Sequence, residues 1–395
     1  MRICSIITSF TSGGAETLVG TLAGAFVTAG HDAMILSLSN AVDVGNSGES
    51  ERAIMAGLRG QDVAAGSLGL ANRNDWIRGG LALRRTLREF RPDVIHAHTA
   101  RALPLIAMSG SRVPVVLTHH NSRLPFPAWL FRVFDWLVGG YVAISDECEA
   151  RIGQHARRPI RKIMNAAGAH FLAGAPRGAT AVNPVILAVG TVSVQKDYQT
   201  LIRAARPLAE RLSAQGRRPR IRIAGGGPML SDLRDLVARE GATDLVEVLG
   251  VRSDVDTLMR DADMFVNSSL WEGFSIAMIE ATMSGLPIVA TDVAGNREMV
   301  LPGANGYLVP PSDPVALARA IAETLSDTSR YALLSRGALM SAGRFSIETC
   351  AQLHLSLYQD LVEPRSANAR VPTPIRRHRG IVRPTRPALP RRRHR

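Results

Sequence analysis

Glu272 and Glu280 stand eight positions apart in the stretch Leu270–Gly285, LWEGFSIAMIEATMSG, with an apolar run on either side at Met264–Val266 and Pro287–Ala290. If Ser275 opens a helix, then Ile276, Ile279, Glu280 and Met283 fall at i, i+3, i+4 and i+7, which sets a carboxylate inside the apolar stripe. An unpaired buried carboxylate costs several kcal/mol, on the order of a domain's whole stability, so Glu280 must meet a cation, a set of donors or a ligand. Glu272 falls in the turn ahead of the helix. Gly273 lets the backbone come close to whatever lies before the helix N-terminus, where free N–H groups and the helix dipole favour an anion such as a diphosphate. The two glutamates then bracket one ligand. In a purely structural alternative, Glu272 caps the helix and Glu280 pairs with a nearby Arg or Lys; the W-E-G-F turn and the flanking strands favour the ligand.

The elements that would hold this pair read as two alternating series. Arg2–Thr8 is a β-branched run, followed by the Ser12-Gly13-Gly14 turn and a helical stretch from Ala15 to Ala29. Gly13 and Gly14 either bring the backbone up to a phosphate or sugar, or make a tight turn without a ligand, and no G-x-G-x-x-G follows. A strand at Ala33–Leu38 precedes Ser39–Asn74, which is Gly-, Ser- and Asn-rich and aperiodic and reads as loop. After a helical pattern at Asp75–Phe90 come the buried-type strands Asp93–His98, Val113–His119 and Tyr141–Ser145, the pattern of a parallel, doubly wound sheet. The second series begins at Val185–Val189 and runs through the Gly225–Pro228 turn to the opening helix, giving two Rossmann-like halves that face a cleft.

Several residues invite other chemistry. His96 and His98 lack a third metal ligand and read as strand-end histidines. His119 and His120 follow a strand's carboxyl end, which places one of them toward the cleft. Asp261 and Asp263 make a D-x-D, but one ends a helix and the other opens a strand, so both read as structural. Leu124–Leu137 (LPFPAWLFRVFDWL) fits either a surface that docks on lipid headgroups or a lipid-linked acceptor, or a helix crossing the sheet.

The totals bound the class. A chain of 395 residues that is 46% hydrophobic can build two or three cored domains. The net charge of +13 sits mostly in Arg365–Arg395, whose eleven arginines face no Asp or Glu, leaving +2 for residues 1–364. A folded nucleic-acid-binding face is therefore not expected, whereas the tail reads as disordered, with an anionic membrane surface as a candidate partner. Three scattered cysteines, with no evident signal sequence or transmembrane span, lead to an expectation of a cytoplasmic protein that meets the inner membrane face only peripherally.

With EGFSIAMIE, the sequence resembles the retaining glycosyltransferases of family 4, which have the GT-B fold. Gly13-Gly14-Ala15-Glu16 is similar to that family's G-G-x-E, Val116–His120 to its T-x-H strand, Ala143-Ile144-Ser145 to its A-V-S, Gly225–Pro228 to its G-x-G-P, and Leu249–Val251 to the segment lining the base. The resemblance implies that Glu280 holds the ribose hydroxyls of a nucleoside diphosphate sugar and that Glu272 holds hydroxyls of the sugar. It implies that the amides of Gly273, Phe274 and Ser275 meet phosphate and sugar oxygens, with Gly14, Gly226 and Val251 also at the donor. It also implies that His120 lies near the transferred sugar and acceptor and that Lys196 neutralises the leaving diphosphate. Thr191 departs from the pattern, standing where the family commonly has an arginine; it donates one hydrogen bond and carries no charge, so either Arg222, Arg252 or another cation substitutes or leaving-group stabilisation is weaker. Asn165-Ala166-Ala167-Gly168 replaces the family's N-G-V-D, so no role transfers to that loop.

The resulting expectation is an α/β protein of GT-B type. It has an N-terminal acceptor-side domain at 1–178, a nucleotide-sugar domain at 179–345, a C-terminal helix at 346–363 that is free to return to the first domain, and a disordered tail at 364–395. The function expected is a metal-independent, retaining glycosyltransferase of hexosyltransferase type, with no cofactor and a UDP- or GDP-linked donor. Its acceptor is a glycan or lipid-linked saccharide, in cell-surface polysaccharide or lipopolysaccharide biosynthesis. Alternatives are a nucleotide-sugar epimerase or phosphorylase on the same scaffold, or a catalytically weak binding module working through its basic tail.

Overall fold

A computed structural model describes residues 1–11, 13–44, 47–71, 75–120 and 126–363. Its first half runs β1 (Arg2–Ile7), α1 (Gly14–Thr28), β2 (Asp32–Ser37), α2 (Gly48–Arg59), β3 (Ala64–Ser67), α3 (Trp76–Phe90), β4 (Val94–Ala97), α4 (Ala102–Ser109), β5 (Val115–His119), α5 (Phe131–Leu137), β6 (Gly140–Ala143), α6 (Asp146–Gly153) and β7 (Ile160–Lys162). The second half runs β8 (Val185–Val189), α7 (Tyr198–Ser213), β9 (Arg220–Ala224), α8 (Leu230–Arg239), β10 (Val246–Gly250), α9 (Val255–Asp261), β11 (Met264–Asn267), α10 (Ile276–Met283), β12 (Ile288–Thr291), α11 (Ala294–Arg297), β13 (Gly306–Val309), α12 (Pro314–Ser326), α13 (Thr328–Ala342) and α14 (Ile347–Val362).

The strands form two parallel sheets, ordered β3-β2-β1-β4-β5-β6-β7 and β10-β9-β8-β11-β12-β13. Strands β4, β6, β11 and β12 are buried along their whole length, as sheets covered by helices on both faces require. In each sheet the winding direction reverses beside the first strand, between β1 and β4 and between β8 and β11. The carboxyl ends at such reversals are where these sheets take ligands.

The stretch 39–74, read as loop, instead carries α2 and β3. Ser47 caps α2 by accepting from the amides of Glu49 and Ser50, and β3 pairs in register with β2 from Met34↔Ala64 to Ser37↔Ser67. A four-residue AAGS strand has almost no periodicity of its own, so its pairing with β2 decides its conformation. The edge strands β7 and β13 escaped notice for the same reason. Asp263 has a structural role: its carboxylate accepts from the amides of Ala181 (2.9 Å) and Val185 (2.8 Å), pinning the entry to β8. Arg365–Arg395 lie outside the described residues.

The helix α14 leaves the second domain and packs on α1 of the first, where Tyr358 meets Phe26 edge-to-face at 5.8 Å and hydrogen-bonds His96 Nδ1 at 2.6 Å. His96 Nε2 meets Thr118 Oγ1 at 2.6 Å, and His354 Nδ1 donates to the Cys350 carbonyl at 2.8 Å. Burial holds His96 and His98 well below the ordinary histidine range and lowers His354 to about 4. A histidine depressed only in the folded state contributes stability that is complete above its unfolded value of 6.5 and is lost as pH falls. We therefore expect these imidazoles to pull the melting temperature down as pH falls from 6.5 to 5, before most carboxylates titrate and against the opposite slope of the raised Glu280 carboxyl, with His354→Gln reducing that fall. Each unit of depression is worth about 1.4 kcal/mol. A slope across that window unaltered by His354→Gln would contradict a neutral, buried imidazole.

Candidate functional site

The helix α10 begins one residue after Ser275, whose hydroxyl accepts from the Met278 amide and caps it. Its eight residues are buried on nearly every side, and Glu280 keeps 7% exposure. Among the described residues no group donates to the Glu280 carboxylate and no cation pairs with it; burial alone pushes its pKa up to about 8. The internal ion pair that would have explained Glu280 structurally is not there, and Glu272 does not cap the helix.

Ahead of α10 the amides of Gly273, Phe274 and Ser275 donate to no described acceptor. Two contacts fix their direction. A Cβ built on Gly295 would lie 2.7 Å from the Glu272 carbonyl oxygen and 2.5 Å from that of Gly273, so α11 presses on those two oxygens. The third, of Phe274, accepts from Asn165 Nδ2 at 2.9 Å. In a trans peptide the N–H points opposite to the C=O, so the amides of Gly273 and Phe274 are turned away from Gly295 and that of Ser275 away from Asn165. Gly295 and Asn165 were not picked out as site residues in the sequence, because each acts through a contact with backbone atoms far along the chain.

Glu272, 5% exposed, is the hub of a second cluster. Its Oε1 pairs with Lys196 Nζ and accepts from Ser269 Oγ at 2.7 Å and Asn267 Nδ2 at 3.4 Å, while Gln195 Nε2 reaches Oε2 at 3.4 Å. Lys196 lies across the turn after β8: a Cβ on Gly190 would come within 2.8 Å of its Cε. Thr191, the next residue, is exposed. Neither candidate for the missing arginine is uncommitted, since Arg222 pairs with Glu247 at 3.2 Å and Arg252 with Asp254. Lys196 keeps two further N–H donors beyond its bond to Glu272. The turns after β9 and β10 bring Gly226 and Val251 together, with Val251 Cγ2 only 2.5 Å from where a Gly226 Cβ would sit and Val251 itself 59% exposed.

From the first domain, Gly14 opens α1 against α10: a Cβ there would lie 3.5 Å from Ile276 Cδ1. Two helix N-termini thus meet across the crevice. His120, just past β5, joins His98 through Nε2···Nδ1 at 3.0 Å, and burial takes it down to about 3, so it is neutral at ordinary pH. Its Nδ1 and His98 Nε2 are buried without a partner among the described residues. Both rings border a cavity of about 10 Å³, with Asn165 and His354 on the same wall, near the smallest volume that holds one water. Glu298, on the second domain, accepts from the Asp146 amide at 2.9 Å, tying α11 to the start of α6.

Residues 183–327 match the family model described as "Glycosyl transferases group 1", and residues 12–166 match the one described as "Glycosyltransferase Family 4". The chain is 28% identical over 363 residues to a glycogen synthase of Mycobacterium tuberculosis, covering 82% of this chain and 86% of that protein. It is 28% identical over 284 residues to the lipopolysaccharide core biosynthesis glycosyltransferase LpsE of Rhizobium meliloti, covering 70% of this chain and 78% of that one. The crystal structure of Anabaena Alr3699/HepE in complex with UDP and glucose superposes with a TM-score of 0.76 at 22% identity, covering 91% of this chain and all of that one. At that identity the likeness carries the architecture alone: two facing parallel-sheet domains, the GT-B fold.

Proposed function

On the premise that this chain belongs to the glycosyltransferases described by those two family models, we propose that it moves a hexose from a UDP- or GDP-linked donor to a glycan or lipid-linked saccharide, with retention of anomeric configuration and without a metal. The observation that carries this reading is Glu280, a buried carboxylate with no partner among the described residues, on the helix that follows the three unused amides. Ribose hydroxyls would donate to Glu280, and the diphosphate would accept from the amides of Gly273, Phe274 and Ser275 at the N-terminus of α10, with Gly14 opposite. Gly226 and Val251 would flank the base. Glu272 would orient the sugar hydroxyls, and His120, neutral, would lie toward sugar and acceptor.

As the glycosidic bond breaks, its electron pair goes to the departing β-phosphate oxygen, and Lys196 with the helix N-terminus would meet that charge. These two supply the role that a divalent cation plays elsewhere. Thr191 adds a neutral hydrogen bond where an arginine would have added charge. The name of LpsE and the UDP held by HepE support a uridine donor and a cell-surface polysaccharide product.

Thermal-shift screening against a panel of UDP- and GDP-sugars, followed by incubation of the stabilising donor with and without saccharide acceptors, tests the reading. Transfer only when acceptor is present, with the donor's anomeric configuration kept in the product, is expected. Conversion of the donor with no acceptor would identify an epimerase or hydrolase instead, and stabilisation by no nucleotide sugar would remove the donor site.

A further inference from the structure

A cavity of about 350 Å³ lies away from the cleft. It opens where α3 and α4 end, just before β4 and β5 begin, and so at the opposite end of the strands from Gly14 and His120. Arg84, Arg88 and Arg91 line it, together with Ser109 and Ser111, and no carboxylate does. None of the three arginines forms an ion pair with a described residue, whereas Arg85, on the adjoining face of the same helix, pairs with Glu89 at 3.0 Å. Arg91 takes the left-handed φ of +51° as the C-cap of α3, a conformation that bends the chain so that a third guanidinium joins the other two.

The same stripe of α3 changes character toward its other end. Ile77, Leu81, Arg84 and Arg88 follow at i, i+4, i+7 and i+11, and the first two are 71% and 61% exposed. Gly80 lets α4 approach closely, so that Met108, 42% exposed, extends the apolar end. The crossovers through α3, α4 and α5 advance the sheet in one direction, from β3 to β6, and right-handed crossovers put them on one face. On that face α5 buries Phe131 and Phe134 while Trp136 is 88% exposed. Solvent-facing Ile77 and Leu81 on the same stripe as a carboxylate-free arginine pocket, with Trp136 on the same face of the sheet, match the two layers of an anionic bilayer, acyl chains and phosphates. A soluble phosphate would use the arginines and leave the apolar stripe in water; an apolar protein partner would leave the arginines unmatched.

We infer that this outer face of the N-terminal domain docks on anionic phospholipid, with the Arg84/Arg88/Arg91 pocket taking a headgroup phosphate and Ile77 and Leu81 entering the interface. Full-length protein should co-sediment with phosphatidylcholine vesicles that contain phosphatidylglycerol, and not with phosphatidylcholine alone. Arg84→Ala/Arg88→Ala should weaken binding by about five-fold per arginine, roughly 25-fold together. Ile77→Ser/Leu81→Ser, which leaves the charge unchanged, should weaken it by at least about ten-fold. Arg211→Ala/Arg239→Ala, which removes the same charge from exposed positions on the C-terminal domain, should leave it unchanged. All variants keep the arginine-rich tail, so its contribution cancels, and unchanged melting curves show that each is folded. Equal losses in the pocket and control variants would reduce the effect to net charge and overturn the inference. So would vesicle binding that survives the pocket substitutions, or a pocket that binds inorganic pyrophosphate while the vesicles are ignored.

Discussion

Lys196→Ala is expected to lower turnover by about 10- to 100-fold while leaving donor binding less affected. One charge-assisted contact to the leaving diphosphate counts most when its charge develops. The substitution also removes the partner of a carboxylate that is only 5% exposed. Breaking such a pair from one side costs about 3–5 kcal/mol when fully buried, and somewhat less here because the Lys196 side chain keeps 15% exposure. The melting temperature should therefore fall together with the activity. In the double variant Lys196→Met/Glu272→Gln the stranded charge is gone and stability should return, which assigns the lower melting temperature to the unpaired carboxylate and not to the loss of the lysine itself. Full turnover in Lys196→Ala would remove the lysine from the chemistry.

Glu280→Gln should do the reverse, stabilising the free protein while weakening the donor. The folded carboxyl has its pKa raised from 4.5 to about 8, so the stability that goes with its neutral form is complete below pH 4.5 and is lost as pH rises toward about 8. Glutamine never pays that cost. At pH 7 the gain is on the order of 3 kcal/mol, growing from pH 4.5 upward and levelling off beyond about pH 8. Against it stands the loss of charge-assisted bonds to the ribose, roughly 10- to 100-fold in donor affinity by calorimetry. A variant that binds the donor as well as the parent, or that melts lower in the absence of donor, would show that the carboxylate is satisfied inside the protein.

What the residues disclosed in advance was whatever depends on local spacing. The i, i+3, i+4, i+7 pattern placed Glu280 in a buried stripe, and Ser275 is the cap it suggested. The runs that became β4, β5, β8 and β11 were legible because strands buried on both faces are almost wholly apolar. The partners of the site were not legible. Lys196 reaches Glu272 across 76 residues, Asn165 reaches the Phe274 carbonyl across 109, and Gly295 aims two peptides through a contact that only folding creates. Likewise β3 went unread because its conformation comes from pairing with β2 rather than from a pattern of its own, and α2 packs against that strand. The aromatic stretch around α5 resolved into both of its alternatives, with phenylalanines in the core and Trp129 and Trp136 at 63% and 88% exposure.

On the proposed function, the Glu280 carboxyl is protonated in the free protein and ionises when a nucleotide arrives. Calorimetric titration of a stabilising nucleotide sugar at pH 7, repeated in buffers of different ionisation enthalpy, reads this directly, because the phosphodiester groups of the donor do not titrate there. With Glu280 near 8 in the free protein, binding should release about 0.9 proton per donor, and Glu280→Gln should release none. Donor binding without proton release, or the same release from the glutamine variant, would contradict it.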